Sequence, residues 1–84
     1  MRLRDRDLTW HVAGDDVVVL DLQGSVYLQL NGSARVLWEC LAATSTEAEL
    51  RAALIERYGL DEQQAATDVG GFLDDLRRRR LLED

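Results

Sequence analysis

Leu28-Gln-Leu-Asn-Gly-Ser-Ala-Arg-Val-Leu-Trp-Glu-Cys-Leu41 contains a change of period. Up to Leu30 the apolar residues alternate, with Val26, Leu28 and Leu30 on one side, the rhythm of a strand with one buried face. Beyond Asn31 the apolar positions Ala34, Leu37, Trp38 and Leu41 follow helical spacing. Asn31 stands where a side-chain oxygen accepts a backbone N–H of the first turn, so it is the expected N-cap. A small sheet that feeds directly into helices, with no catalytic residue types beside the junction, points to a scaffold that binds something.

Upstream, the chain reads as β structure. Leu8-Thr-Trp-His-Val12 is one strand and the β-branched run Val17-Val-Val-Leu-Asp-Leu22 a second, with Ala13-Gly-Asp-Asp16 as turn between them. Gln23-Gly24-Ser25 makes a tight turn into Val26–Leu30. Connections this short force antiparallel neighbours, so the simplest sheet is a three-stranded meander with the second strand central.

Downstream, the punctuation is helical. Thr46-Glu-Ala-Glu49 is a capping box, in which the Thr hydroxyl and the Glu carboxylate serve each other's backbone N–H. Its helix presents Leu50, Ala53 and Leu54 and stops at Tyr58-Gly59, where glycine takes the left-handed cap. Asp61-Glu-Gln-Gln64 repeats the cap logic for a last helix with Ala65, Val69, Phe72, Leu73 and Leu76 on one face. The predicted fold is α+β, a β-β-β-α-α-α order in one domain spanning 1–84. Gly70 and Gly71 interrupt that last helix at a cost of about 1 kcal/mol each against Ala. They relax the helix, admit a neighbouring helix, or leave room for a ligand's backbone.

Composition narrows the function. The chain has 84 residues, 46% of them hydrophobic, enough for one modest core. Cys40 is the only cysteine, which excludes an internal disulfide or a cysteine zinc cluster, and it is read as a small buried apolar residue. No apolar run is long enough for a bilayer, and Met1-Arg-Leu-Arg-Asp-Arg-Asp7 lacks the apolar segment of a secretion signal, so a cytoplasmic protein without a membrane partner is expected. A net charge of −6 argues against nucleic acid, whose phosphates need a basic face. All ten basic residues are Arg, four of them in Arg77–Arg80. That run is a patch for phosphate or an acidic peptide, or, more simply, a solvated last helical turn offset by Asp74, Asp75, Glu83 and Asp84.

Catalysis finds no support. His11 is the only histidine and has no nucleophile motif near it, so a structural or surface role is expected. Metal-ligand spacings and phosphate-cradling glycine loops are absent, and the 16 acidic residues read as solvated faces. A core this small offers little enclosing cleft for paired carboxylates. No enzyme activity, no cofactor and no metal are expected. What remains is the strand Ser25-Val-Tyr-Leu-Gln-Leu30, an edge with no Lys, Pro or inward charge to guard it. Such an edge pairs with another copy, giving a weak dimer, or accepts a peptide strand whose alternate side chains find apolar pockets.

The run Tyr27-Leu-Gln-Leu-Asn-Gly-Ser-Ala34 with Val36-Leu-Trp38, then Thr46–Glu49, Tyr58–Glu62 and Asp68-Val69 through Phe72-Leu73 to Leu76, resembles the PqqD-like family. The likeness runs from about Val17 to Leu82, and its most specific piece is the Leu-Asn…Ala…Leu-Trp run. That family includes the small chaperone of pyrroloquinoline quinone biosynthesis and the precursor-recognition elements of ribosomal peptide pathways. The resemblance implies a winged-helix-like domain that binds a leader peptide as an added strand on the third strand, beside the third helix. Carried to this chain, it makes Val26, Tyr27, Leu28, Gln29, Val69, Phe72, Leu73 and Leu76 the peptide-binding candidates, with Leu37 and Trp38 in the core. Gly70-Gly71 departs from the pattern. A chain of this length resembles the discrete recognition proteins of lasso-peptide clusters, whose partner is a leader peptidase or another maturation enzyme. The quinone chaperone, which presents its peptide to a radical enzyme, is the alternative. From other classes come a winged-helix DNA-binding protein, opposed by Asp61, Glu62, Asp68, Asp74 and Asp75 on the candidate recognition helix, and an antitoxin-like or structural partner domain.

Overall fold

The change of period at Asn31 is the boundary between two layers in the computed structural model, which describes residues 1–83. The elements are β1 (Arg2–Leu3), β2 (Leu8–Ala13), β3 (Asp16–Asp21), β4 (Val26–Leu30), α1 (Gly32–Ala42), α2 (Glu47–Tyr58), α3 (Glu62–Arg78) and β5 (Leu82–Glu83). Strands β2, β3 and β4 form the expected antiparallel meander with β3 central. The register pairs Trp10 with Val19 and Val19 with Leu28, so Leu8, Trp10, Val17, Val19, Asp21, Val26, Leu28 and Leu30 share the face turned to the helices.

The core forms where that face meets one stripe from each helix. Val17 and Val19 lie under Leu37, Trp38 and Leu41 of α1, Leu50 and Leu54 of α2, and Ala65, Val69, Leu73 and Leu76 of α3. Trp10 leans edge-on against Trp38, with ring centroids 6.2 Å apart and planes at 83°, the T-shaped arrangement that aromatic quadrupoles favour.

The helix ends follow the sequence with one exception. Thr46 Oγ1 accepts the Glu49 N–H while the Glu49 carboxylate accepts the Thr46 N–H, a closed capping box. Gly59 takes φ 66° and donates to the Ile55 carbonyl, and Asp61 accepts the Gln64 N–H at 2.8 Å. Asn31 occupies the N-cap of α1 but its side chain makes no cap bond. The next residue, Gly32, takes a left-handed φ of 57°. α3 runs unbroken through Gly70 and Gly71. Arg77–Arg80 are all exposed, with loose pairs from Arg77 to Asp74 and from Arg78 and Arg79 to Asp75, the solvated turn. His11 is exposed on the sheet. Cys40 is half-buried, less enclosed than expected, and burial pushes its thiol pKa up.

The chain termini add a piece that the hydropathy pattern does not show. β1 and β5 pair antiparallel, Arg2 with Glu83 and Leu3 with Leu82, and the Arg4 N–H donates to the Leu81 carbonyl. From there Arg4 donates to the Arg80 carbonyl and to the Asp21 carboxylate, tying both ends of the chain to the meander. Among the described residues no helix is long and apolar enough to cross a membrane.

Candidate functional site

The alternation of hydrogen bonds through the meander decides what each edge can offer. Leu22 donates to the Asp7 carbonyl at 2.9 Å, which fixes Asp7, Thr9, His11 and Ala13 as the residues bonded to β3. A central strand bonds its two neighbours through alternate residues, so Val17, Val19 and Asp21 face β4 and bond Leu30, Leu28 and Val26. The free N–H and C=O groups on the outer side of β4 therefore belong to Tyr27 and Gln29. No strand of the described chain covers them, because β1 and β5 form a separate sheet.

Side chains follow the opposite assignment. Val26 and Leu28 turn inward, half-buried, and Leu28 packs on the core. Tyr27, 61% exposed, and Gln29 lie on the outer face of the sheet, where the Gln29 amide donates to the Asp16 carboxylate. Tyr27 and Gln29 thus present main chain to the edge, while Val26 and Leu28 present apolar surface beneath it.

The helix residues separate in the same way. Val69, Leu73 and Leu76, expected beside the peptide, have at most 1% of their surface exposed and belong to the core. Their positions follow the centre of the helical stripe, which is buried in the core beside α2. Phe72, at the margin of the stripe, is half-buried and rests on the same core as Leu28. α3 packs extensively on α2, and β4 on β3, with no comparable packing of α3 directly on β4 among the described residues. A Cβ added at Gly70 or Gly71 meets no atom within 4 Å, so no neighbouring helix requires either glycine.

Two open hollows lie elsewhere on the surface. One of about 650 Å³ opens between Arg35 and Cys40 of α1 and Arg57 and Tyr58 at the end of α2. A second, of about 420 Å³, lies between the N-terminal segment Arg2–Asp5, Leu8 and Trp10 of β2, and Leu41 to Thr44. Among the described residues no group of three or more His, Cys, Asp or Glu is placed to hold a metal ion. Sequence reasoning missed the Arg4–Asp21 anchor at the Val26 end of β4. It also passed over the second open edge, β2, although any meander of three strands has two.

A small antiparallel meander with β2 and β4 as open edges, backed by three helices, defines a winged-helix-like α+β domain. The family model described as coenzyme PQQ synthesis protein D (PqqD) matches residues 16–82, and the chain belongs to that family. Two solved structures share the whole fold. One is TbiB1 in complex with the TbiA(beta) leader peptide, 28% identical, with a TM-score of 0.90 over 99% of this chain and 95% of that one. The other, lasso peptide synthetase B1 complexed with the leader peptide, is 22% identical with a TM-score of 0.84, over 99% and 96%. No curated protein sequence matches the chain.

Proposed function

We propose that this protein is a non-catalytic adaptor of lasso-peptide maturation, which captures the leader segment of a precursor on β4 and delivers it to a leader peptidase or modifying enzyme. The single observation that carries the reading is the bare ladder at Tyr27 and Gln29, over a core on which the half-exposed Phe72 also packs, in a chain whose fold matches TbiB1 in its leader complex over 99% of its length. An incoming strand bonds the outward N–H and C=O groups of those two residues. Its alternate side chains then lie in line with Val26, Leu28 and Leu30 and reach down toward Phe72. Val69, Leu73 and Leu76 serve from below, by holding the helix at its distance.

Capture of the leader raises the concentration of the attached core peptide at the enzyme, so a short tag directs chemistry elsewhere on the precursor. The family's name favours a second reading, presentation of a quinone precursor to a radical enzyme. Titration of ¹⁵N-labelled protein with a lasso leader and with a quinone-precursor peptide separates the two. The adaptor reading requires saturable shifts at residues 25–30 and at 72 with the lasso leader. Saturable shifts there with the quinone precursor alone favour the second reading, and shifts elsewhere on the surface refute the site.

A further inference from the structure

We infer that the outer face of the sheet reads the leader too, through Tyr27 and Leu20, and selects a large apolar side chain beside them. The inference rests on the adaptor reading, in which the leader is a strand added to β4, and adds a second point of recognition on the face away from the helices. Register defines that face. Thr9, Leu20 and Tyr27 stand in one row across the three strands, and His11, Val18 and Gln29 in the next. Leu20 and Tyr27 oppose each other between bonded pairs, where antiparallel neighbours bring their side chains closest. Leu20 is 41% exposed, and Leu22, which continues the ladder by donating to Asp7, is 62% exposed. With Tyr27 they are three of the five large hydrophobic residues exposed among the described residues, gathered at one corner of one face.

The placement of the patch names its occupant. The first row turns apolar toward the open edge, from Thr9 through Leu20 to the Tyr27 ring, where the row ends among the described residues. A partner laid flat on the sheet would cover the polar Thr9 and His11 of β2 as fully as Tyr27. A strand on β4 meets the apolar end alone. Because the outward N–H and C=O groups of β4 belong to Tyr27 and Gln29, a leader residue stands opposite each of them. Its side chain lies on the same outer face, whichever way the leader runs. In the antiparallel case the residue opposite Tyr27 is about 5.5 Å away, Cα to Cα. It extends the Leu20–Tyr27 row, covers the open side of the ring and takes apolar surface out of water. The residue opposite Gln29 meets an amide already donating to Asp16, so a polar side chain suits that position. The outer face therefore selects a large apolar residue beside Tyr27 and a polar one two positions along, independently of the residues over Val26 and Leu28.

Random peptides displayed on phage and selected on the full chain supply the probe. The most enriched peptide is synthesised and titrated into ¹⁵N-labelled protein, and nuclear Overhauser contacts to the Tyr27 ring identify the peptide residue beside it. Across the enriched set that residue is expected to be Ile, Val, Phe, Tyr or Trp. Tyr27→Thr keeps a strand-forming residue at an exposed position. It is expected to weaken the peptide about two- to fivefold, the range of one cross-strand pair, and Leu20→Thr to weaken it by less. Serine at the contacted peptide residue costs the same as Tyr27→Thr, and the two changes together cost no more than either alone. His11→Thr, on the same face but two strands from the edge, leaves binding unchanged. Enriched peptides whose amide shifts avoid residues 25–30 remove the adaptor reading and this inference with it. Peptides that shift those residues but make no contact with the Tyr27 ring, or that bind Tyr27→Thr as tightly as the wild type, overturn this inference alone.

Discussion

The guanidinium of Arg4 meets the carboxylate of Asp21 at 2.5 Å, with 11% and 4% of the two side chains exposed. One oxygen of Asp21 also accepts the backbone N–H groups of Gln23 and Gly24, at 3.1 and 3.2 Å, so the carboxylate organises the β3–β4 turn as well as the N-terminal segment. The remaining Arg4 donors serve the carbonyls of Arg6, Asp7 and Arg80. A single ion pair therefore fastens the start of the chain, its end and the turn that leads into the binding strand. A Cβ on Gly24 would stand 2.8 Å from the second Asp21 oxygen, which explains the glycine there.

Asp21→Ala is expected to cost about 3 kcal/mol, because it strands a largely buried guanidinium as well as removing the turn bonds. The Arg4 hydrogen bond holds the Asp21 carboxyl below its ordinary pKa of 3.8, against the opposing effect of burial. A group with a lowered folded pKa contributes stability above its unfolded value and loses it as the pH falls through the folded one. Urea unfolding from pH 6 downward, where 6 is roughly two units above the ordinary carboxylate range, should show the wild type losing stability more steeply than Asp21→Asn in the acid limb. Equal slopes would show that the pair does not contribute.

Phe72 and Leu73 are neighbours in sequence with different duties. Phe72→Ala is expected to weaken leader binding by about 1–3 kcal/mol in a calorimetric titration, as for an anchor at the margin of a groove. Leu73→Ala is expected to lower the stability of the free domain by about 2–5 kcal/mol, the cost of a cavity in a closed core. Thermal melts of both variants, read beside the titration, check the division. It fails if Phe72→Ala unfolds the domain as readily as Leu73→Ala does.

Along β4, proline substitution should alternate in effect. Gln29→Pro removes an N–H that faces outward, so the domain folds while leader affinity falls at least about tenfold, or 1.4 kcal/mol. Leu28→Pro removes an N–H bonded to Val19 and should destabilise the sheet by about 3 kcal/mol or more. Circular dichroism and a leader titration on the two proteins give the answer. Loss of fold in both would disprove the assigned phase of the ladder.

Gly70→Ala and Gly71→Ala are each expected to stabilise the domain by about 0.5–1 kcal/mol, because helical glycine is costly and the added methyl meets nothing. Urea midpoints measure the gain. Loss of leader affinity in the stabilised variants would show that the missing side chains make room for the peptide.

Much of the fold is legible in the sequence because it rests on local periodicities. Alternation at Val26, Leu28 and Leu30 declares the strand, and the spacing from Ala34 to Leu41 declares the helix. The Thr46–Glu49 box and Gly59 mark the ends of α2 by side-chain and backbone chemistry that needs no distant partner. The pairing of β1 with β5 was not legible, since two-residue strands carry no period and their register comes from the two ends of the chain meeting. The position of Asn31 at the head of α1 is legible, but whether its side chain closes the cap is not, because residue type alone does not fix the side-chain rotamer or the turn at Gly32.

The candidate site divides along the same line. The bare edge at β4 was visible as an apolar strand without guards. Which of its residues offer main chain and which offer side chain depends on the hydrogen-bond phase set at Asp7 and Leu22, on a different pair of strands. The amphipathic stripe of α3 was equally plain, but a stripe does not say how much of its width its neighbours cover. Tertiary packing closed Val69, Leu73 and Leu76 into the core and left Phe72 half-buried at its margin. Sequence by itself thus determined the elements, their order and the unguarded strand, all properties of short-range spacing. Only the folded structure decided which groups remain available to a partner, because exposure is a property of what every other element has already covered.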